Sequence, residues 1–162
     1  MKAIVIVDKN WNIGKDGGLL VHLPSDLKYF KSKTEGNVIV IGRKTLQSFP
    51  NSKPLPNRTN IVLTNDKNFE NENCIVCVGL DELNNELKKY DNDSIYISGG
   101  EMIYKLFLDR CDEVFVTKME NEFDADKSFR NLDNDESFYL NTSSEEFEEN
   151  GVKFRFLSYK RV

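Results

Sequence analysis

The sequence predicts an α/β fold in which a mostly parallel sheet carries helices on both faces. Short apolar runs recur along the chain, and helical patterns separate them. Most of these runs show no polar alternation, which is typical of strands covered on both faces. The C-terminal residues alternate instead, which indicates an antiparallel finish. The predicted strands are residues 3–8, 38–41, 60–64, 74–78, 94–97 and 113–118, with 154–162 as a closing edge or hairpin strand.

Helical patterns fill most intervals between these strands. The first helix follows Leu23-Pro24 and runs to about Thr34, because proline disfavours helical backbone in the residue before it. A short helix ends before Pro50, and longer patterns cover residues 81–90 and 101–108. The last pattern predicts an inward face made of Met102, Ile103, Leu106 and Phe107. Loops are predicted at residues 9–21, at 50–58 and, with one weak strand, at 119–150.

The charge distribution bounds the class of ligand. The chain of 162 residues has a net charge of −5, which predicts one domain and disfavours nucleic-acid binding. Residues 1–58 nevertheless hold ten Lys and Arg against four Asp and Glu, a balance of +6. This basic third could receive small anionic ligands, or it could be a solvated surface. There is no signal-peptide pattern and no apolar run long enough to span a membrane.

The three cysteines indicate a reducing compartment, for which we expect the cytoplasm. An odd number argues against a disulfide framework. Cys74 and Cys77 have the spacing of a redox pair, but they lie in a predicted strand, where residues three apart point to opposite faces. A redox pair would instead open a helix.

One carboxylate of the first helix stands out. On a helical projection of about 100° per residue, Asp26 shares an arc with Leu27 and Phe30, while Tyr29 falls on the far side. In one interpretation Asp26 or Ser25 caps the first turn and complements the helix dipole. In the other, Asp26 is a buried carboxylate that awaits a ligand, because burial of an unpaired charge is costly.

Two glycine-containing turns predict anion binding. The segment Gly42-Arg43-Lys44-Thr45 joins a buried strand to a helix N-terminus, where free amides favour an anion. Ser98-Gly99-Gly100 does the same after the fifth strand. Neither turn has the spacing of a P-loop, and the glycines of residues 14–18 do not match a dinucleotide fingerprint. The loop 9–21 is a candidate lid, and ligands of such sheets bind beyond the carboxyl ends of the strands.

Several catalytic classes are excluded by the residues themselves. His22 is the only histidine, no segment has the spacing of a metal site, and no nucleophile elbow occurs. What remains is a crevice with anion-binding turns and one carboxylate in an apolar frame. That combination suits a reaction whose chemistry comes from a cofactor.

Taken together, the segments resemble the dihydrofolate reductase family over nearly the whole chain. The resemblance implies a single domain, residues 1–162, with a central sheet of eight strands. It also implies NADPH-dependent reduction of 7,8-dihydrofolate to 5,6,7,8-tetrahydrofolate, in which hydride passes from nicotinamide C4 to pterin C6 and N5 is protonated. A monomer in the cytoplasm is expected, with no nucleic-acid or membrane partner. The matching segments, in order, are AIVIVDKNWNIG, LPSDLKYFK, VIVIGRKT, KPLPNRTNIVLT, ISGGEMIY and VTKMENEFDADKSF.

The resemblance also implies roles for individual residues. Asp26 would receive paired hydrogen bonds from the pterin, Thr117 would bond that carboxylate, and Arg58 would grip the glutamate α-carboxylate. The remaining substrate residues would be Ile4, Leu27, Phe30, Phe49, Lys53 and Leu55. The cofactor residues would be Ile6, Ile13, Gly14, Lys15, Asp16, Gly17, Gly18, Leu19, Arg43, Lys44, Thr45, Thr64, Asn65, Ser98, Gly99, Gly100, Glu101, Met102, Ile103 and Tyr104, with a cis peptide between Gly99 and Gly100.

The sequence departs from the family pattern at four places. Leu20-Val21 replaces a common Pro-Trp pair whose Trp helps hold a water beside the pterin. Ser98 replaces a branched apolar residue, Glu101 a small one, and Val78 a residue that is often basic. The alternatives are the pyrimidine reductase of riboflavin synthesis, which shares this fold, and a non-catalytic nucleotide-binding domain. The carboxylate, hydroxyl and arginine that remain together favour dihydrofolate reduction.

Overall fold

The structure, a computed structural model, describes residues 1–162. The chain forms four α-helices and twelve strands. The helices are α1 (Pro24–Thr34), α2 (Arg43–Ser48), α3 (Leu80–Leu87) and α4 (Glu101–Phe107). The strands are β1 (Lys2–Val7), β2 (Asn12–Lys15), β3 (Gly18–Leu19), β4 (Val38–Gly42), β5 (Thr59–Thr64), β6 (Ile75–Val78), β7 (Ile95–Ile97), β8 (Glu113–Met119), β9 (Lys127–Ser128), β10 (Phe138–Ser143), β11 (Phe147–Glu149) and β12 (Val152–Arg161).

The central sheet confirms the predicted α/β class. Its strands follow the order β10-β12-β8-β1-β7-β4-β5-β6, and β11 pairs with β12 outside this path. All pairs from β8 to β6 are parallel, whereas β12 runs antiparallel to β8 and to β10. The eight strands of the path match the predicted number, and the C-terminal strand is antiparallel as expected.

The apolar strands bury side chains on both faces of this sheet. In β4, Val38 and Val40 join one core, which also receives Leu83 of α3 and Phe107 of α4. Ile39 and Ile41 point to the opposite face, where they pack with Leu46 of α2 and with residues of α1. Each such side chain contributes roughly 1.5–3 kcal/mol of burial energy, which explains why the runs lack polar alternation. Helices therefore cover both faces.

The prediction that residues 9–21 form a loop was wrong. Strands β3, β2 and β9 form a small antiparallel sheet, which we call the flap sheet. The buried carboxylate of Asp8 organises its base by accepting hydrogen bonds from the backbone amides of Asn10, Asn12 and Phe123. The contact with Phe123 spans 115 residues, so local composition did not reveal it.

Two predicted helix faces also need correction. In α4, Met102 and Leu106 are 71% and 43% exposed, because the inward face is formed by Ile103, Tyr104 and Phe107. The Tyr104 hydroxyl donates to the Ile4 carbonyl oxygen at 2.7 Å, which allows this polar-tipped ring to be buried.

In α1 the partly buried positions include Asp26, Tyr29, Phe30 and Lys33, a helical stripe that leaves Leu27 44% exposed. Tyr29 was predicted to lie on the far side, but the stripe is centred between Tyr29 and Phe30. No helix is both long and apolar enough to cross a membrane; the longest, α1, has 11 residues.

Candidate active site

Helix α1 places Asp26 beside strand β8. The helix begins at Pro24, which needs no amide partner at the first helical position. The N-cap residue is Leu23, whose side chain makes no capping hydrogen bond, and neither Ser25 nor Asp26 is the N-cap. Instead, the Thr117 hydroxyl donates to Asp26 Oδ1 at 2.6 Å. Asp26 still lies in the first turn, but its hydrogen bond runs to the sheet.

The electrostatics of Asp26 are those of a carboxylate without a cation. No Lys, Arg or His nitrogen lies within 4.0 Å of it, and its Oδ2 accepts no hydrogen bond from the protein. Burial raises its pKa from 3.8 to about 6, and the Thr117 hydrogen bond opposes that rise. Such a group can receive a ligand with two adjacent hydrogen-bond donors.

A group of apolar side chains lies on the same face of the sheet as this carboxylate, since Thr117 shares that face of β8 with Phe115. Phe30, Phe49 and Leu55 are half-buried against the core that contains Ile4. The predicted apolar residues thus lie together, except that Leu27 is more exposed than expected. An incompletely covered apolar wall beside a lone carboxylate can hold a flat aromatic ring with polar edges.

Arg58 lies at the end of this wall with an unsatisfied donor. Its Nε is buried without a hydrogen-bond partner, and its guanidinium lies 5.8 Å from the centre of the Phe30 ring. Burial lowers the pKa of Arg58, and Glu35 partly opposes this. A buried N–H without a partner is rare, so this side chain is suited to receive an anion. Lys53, the other cation predicted here, is exposed.

The segment that carries Arg58 is held by Asn60, a residue that sequence reasoning missed. The Asn60 side chain accepts from the Leu55 amide and donates to the carbonyl oxygens of Leu55 and Arg58, at 2.9–3.1 Å. Its only sequence signal is a polar residue at the start of a buried strand. Because these bonds fix the loop 55–58, they set the position of Leu55 and Arg58 relative to Phe30.

The two predicted anion-binding turns lie side by side. The Gly42 amide donates to the Gly99 carbonyl oxygen at 2.9 Å, and the Gly99–Gly100 peptide is cis as expected. Neither α2 nor α4 has a side-chain N-cap, so their first amides remain available. Gly99 has a φ of +117°, a conformation that residues with side chains rarely adopt, whereas a Cβ at Gly100 would make an ordinary contact with Thr45 Oγ1 at 3.4 Å. The adjacent turns therefore fit a dinucleotide phosphate group.

The remaining predicted cofactor residues are distributed over the same end of the sheet. Ile6 lies in β1, and Thr64 ends β5 with its hydroxyl accepting from the Asp66 amide. Residues 13–19 form the β2–β3 hairpin of the flap sheet, where a Cβ at Gly14 would come within 2.9 Å of the Gly18 carbonyl oxygen. Asn65 is exposed next to Thr64. Glu101 turns toward the flap sheet, accepting from the Ser128 amide at 2.7 Å.

Comparisons with known proteins agree with this geometry. The sequence model for dihydrofolate reductase matches residues 1–161. The dihydrofolate reductase of Bacillus subtilis is 36% identical over 161 residues, covering 98% of this chain and 92% of that protein. That of Staphylococcus haemolyticus is 38% identical over 130 residues, covering 80% and 75%.

A solved structure shares both the fold and the arrangement of elements. Dihydrofolate reductase from Enterococcus faecalis, complexed with NADP(H) and RAB-propyl, superposes with a TM-score of 0.87. The two sequences are 30% identical, and the match covers 99% of this chain and 95% of that one. This chain therefore belongs to the dihydrofolate reductase family.

Proposed function

We propose that Asp26, Thr117 and Arg58 bind and orient the substrate of this dihydrofolate reductase, which reduces 7,8-dihydrofolate to 5,6,7,8-tetrahydrofolate with NADPH. The observation that carries the proposal is the unpaired Asp26 carboxylate, which is bonded only to Thr117 and lies on the same face of the sheet as the apolar wall. The pterin ring presents two adjacent donors, N3 and the 2-amino group, which suit such a carboxylate. Asp26 thereby fixes the ring and favours its protonated form electrostatically.

The other substrate contacts follow from the position of the wall. Leu27, Phe30, Phe49 and Leu55 would pack against the pterin and benzoyl groups. Ile4, whose side chain is buried in the core behind Phe30, Phe49 and Leu55, would contribute a main-chain contact to the pterin. The guanidinium of Arg58 binds the glutamate α-carboxylate through two parallel hydrogen bonds, with Lys53 adding charge nearby. Val21, which is half-buried, takes the position of the tryptophan that in the family helps hold an ordered water beside the pterin.

NADPH supplies the hydride in this reaction. The protein holds the cofactor with the amides of the two glycine turns, with the flap sheet and with the ends of β1 and β5. The residues assigned to it are Ile6, Ile13, Gly14, Lys15, Asp16, Gly17, Gly18, Leu19, Arg43, Lys44, Thr45, Thr64, Asn65, Ser98, Gly99, Gly100, Glu101, Met102, Ile103 and Tyr104. The uncapped starts of α2 and α4 support the placement of the phosphate groups.

We further infer that residues 1–162 act as one catalytic domain and as a monomer, since one chain supplies both sets of contacts. The acidic overall charge argues against a nucleic-acid partner. The three free cysteines are consistent with a reducing cytoplasm. Size-exclusion chromatography with light scattering tests the monomer directly.

The activity itself is tested by mixing the purified protein with NADPH and dihydrofolate. We expect oxidation of NADPH, seen as loss of its near-ultraviolet absorbance, together with formation of tetrahydrofolate. A control with the pyrimidine substrate of riboflavin synthesis should show no oxidation. Absence of turnover with dihydrofolate between about pH 5 and pH 8 would reject the proposal.

Replacing Thr117 by Val should raise the pKa of Asp26 further. In the wild-type protein the Thr117 hydroxyl lowers that pKa, and the variant loses this hydrogen bond. A hydrogen bond to a charged group is worth roughly 1.5–3 kcal/mol, or about one to two pKa units. The pH dependence of kcat/KM should therefore move to higher pH, and carbon NMR of the Asp26 carboxyl should show the same shift.

A matched control for Thr117→Val is Ser158→Ala. Ser158 is also buried, and its hydroxyl donates to Glu113 at 2.6 Å in the same sheet. This variant removes an equivalent hydroxyl–carboxylate bond without touching Asp26. If both variants gave the same pH profile, the Thr117 bond would have no specific influence on the substrate carboxylate.

A further inference from the structure

The first turn of α1 depends on a residue from the other end of the chain. Pro24 has no amide hydrogen, and the amides of Asp26 and Leu27 both donate to the Leu23 carbonyl oxygen, at 3.0 and 3.1 Å. The Ser25 amide would remain without a partner. Glu149 supplies it: Oε1 accepts from the Ser25 amide at 3.0 Å, and Oε2 accepts from the Ser25 hydroxyl at 2.6 Å.

Local structure fixes the position of Glu149. This residue ends β11 and pairs with Val152 across the turn formed by Asn150 and Gly151, which both have positive φ. A two-residue turn of this kind holds hairpin register tightly. The pairing also separates neighbours by face, so Glu149 is half-buried while Glu148 is exposed. The two hydrogen bonds from Ser25 keep the pKa of Glu149 low, and the nearby His22 adds to this.

The same hairpin contacts α1 a second time, one turn further along. The Tyr29 ring stacks on Phe156 of β12, with ring centres 4.1 Å apart. Phe156 is the register partner of Thr117 in β8. The Asp26–Thr117 hydrogen bond therefore lies between two attachments of α1 to the β11–β12 hairpin.

We propose that Glu149 is a positioning residue of the substrate site, which holds the first turn of α1 so that Asp26 meets both Thr117 and the pterin. The inference rests on the proposed role of Asp26. Ser25 is the immediate neighbour of Asp26, so a shift of the Ser25 backbone moves the carboxylate as well. Even a small displacement of the carboxylate is costly in a site that works through oriented contacts.

Glu149→Ala should raise KM for dihydrofolate by about threefold to tenfold, as expected for loss of a helix cap that is felt mainly at the site. KM for NADPH should change less than twofold, because the glycine turns lie on other elements. Glu149→Gln keeps an oxygen that can accept from the Ser25 amide, so it should recover most of the loss. The control Glu148→Ala removes the same side chain from the opposite face of β11 and should leave both constants unchanged.

The decisive measurement places Glu149→Ala in an Asp26→Asn background. If Glu149 acts through Asp26, Glu149→Ala should raise KM for dihydrofolate little further in the Asp26→Asn background. A merely structural role would raise it by the same factor in both backgrounds. The proposal would be overturned if Glu149→Ala raised KM for dihydrofolate equally in both backgrounds, or changed KM for dihydrofolate and KM for NADPH equally. It would also be overturned if Glu149→Ala changed neither constant, or if Glu148→Ala raised KM for dihydrofolate as much.

A readout without substrate separates this proposal from the activity. Carbon NMR titration of Asp26 in the unliganded protein should show a changed midpoint in Glu149→Ala and none in Glu148→Ala. If the wild-type chain failed to reduce dihydrofolate, the proposed function would fail, yet this titration would still decide whether Glu149 positions Asp26. An unchanged midpoint in Glu149→Ala would overturn the inference alone.

Discussion

Replacing Asp26 by Asn should lower dihydrofolate turnover at pH 7 by roughly a hundredfold or more, and should also make the unliganded protein more stable. The loss follows because the uncharged amide no longer favours the protonated pterin and also presents a donor to the pterin amino group. Steady-state kinetics with dihydrofolate and NADPH measure it. Activity should recover partly as the pH falls, since the substrate then arrives already protonated.

The stability gain follows from the pKa of Asp26. Burial raises that pKa from 3.8 to about 6, so the folded protein holds the proton more tightly than the unfolded chain does. The free energy of unfolding therefore falls as pH rises from about 4 to about 6, and the full cost remains above that window. Asn carries no charge, so the variant should gain on the order of 1–3 kcal/mol at pH 7 and almost nothing below pH 4. Urea unfolding at several pH values measures this difference.

Asp81→Asn separates this effect from helix capping. Asp81 is an exposed acidic residue in the first turn of α3, so it has the same relation to a helix dipole as Asp26 has in α1. Its replacement should lower the free energy of unfolding by a few tenths of a kcal/mol and leave dihydrofolate turnover unchanged. If Asp26→Asn behaved like Asp81→Asn in both respects, Asp26 would be a dipole partner and not the substrate carboxylate.

The sequence predicted the sheet well because its strands are short apolar runs with clear boundaries. Burial on both faces forces residues such as Ile39 and Val40 to be apolar alike, and that pattern is local. The two glycine turns were predictable for the same reason, since each follows directly on a buried strand. Periodicity also brought Asp26 to attention.

Contacts between distant segments could not be predicted from these patterns. The partner of Asp26 lies 91 residues away, and that of Ser25 lies 124 residues away. Thr117 was found through the family resemblance, whereas Glu149 and Asn60 had no signal strong enough to distinguish them from other polar residues. The flap sheet was missed for a related reason, because β2 is completed by β9 and not by a sequence neighbour alone.

The predicted helix faces were wrong where a tyrosine, and not an aliphatic residue, lies on the inward face. Tyr29 and Tyr104 both turn inward, because one stacks on Phe156 and the other donates to the Ile4 carbonyl oxygen. A hydrophobic pattern that treats tyrosine as a surface residue shifts the predicted face toward Leu27 or Met102. Burial of a tyrosine depends on a partner for its hydroxyl or ring, which only the tertiary structure supplies.

Arg58→Leu should raise KM for dihydrofolate about a hundredfold while leaving a pterin that lacks the glutamate group nearly unaffected. Two charge-assisted hydrogen bonds to the α-carboxylate account for a loss of this size. The fold should tolerate the change, because Arg58 Nε is buried without a partner and leucine removes that unsatisfied donor. Kinetics with both substrates, together with thermal unfolding, measure the two effects.

Two further variants identify what the arginine contributes. Arg58→Lys keeps the charge but loses the planar fork, so it should recover only part of the affinity. Lys28→Leu removes one positive charge from an exposed position of α1 and should change KM little, which separates a directed contact from the general basic character of residues 1–58. An equal loss for dihydrofolate and for the pterin without glutamate would mean that Arg58 supports the wall beside Phe30 and does not bind the carboxylate. A selective loss, with unchanged or increased stability, would instead explain why the fold keeps a buried guanidinium donor unpaired until the substrate arrives.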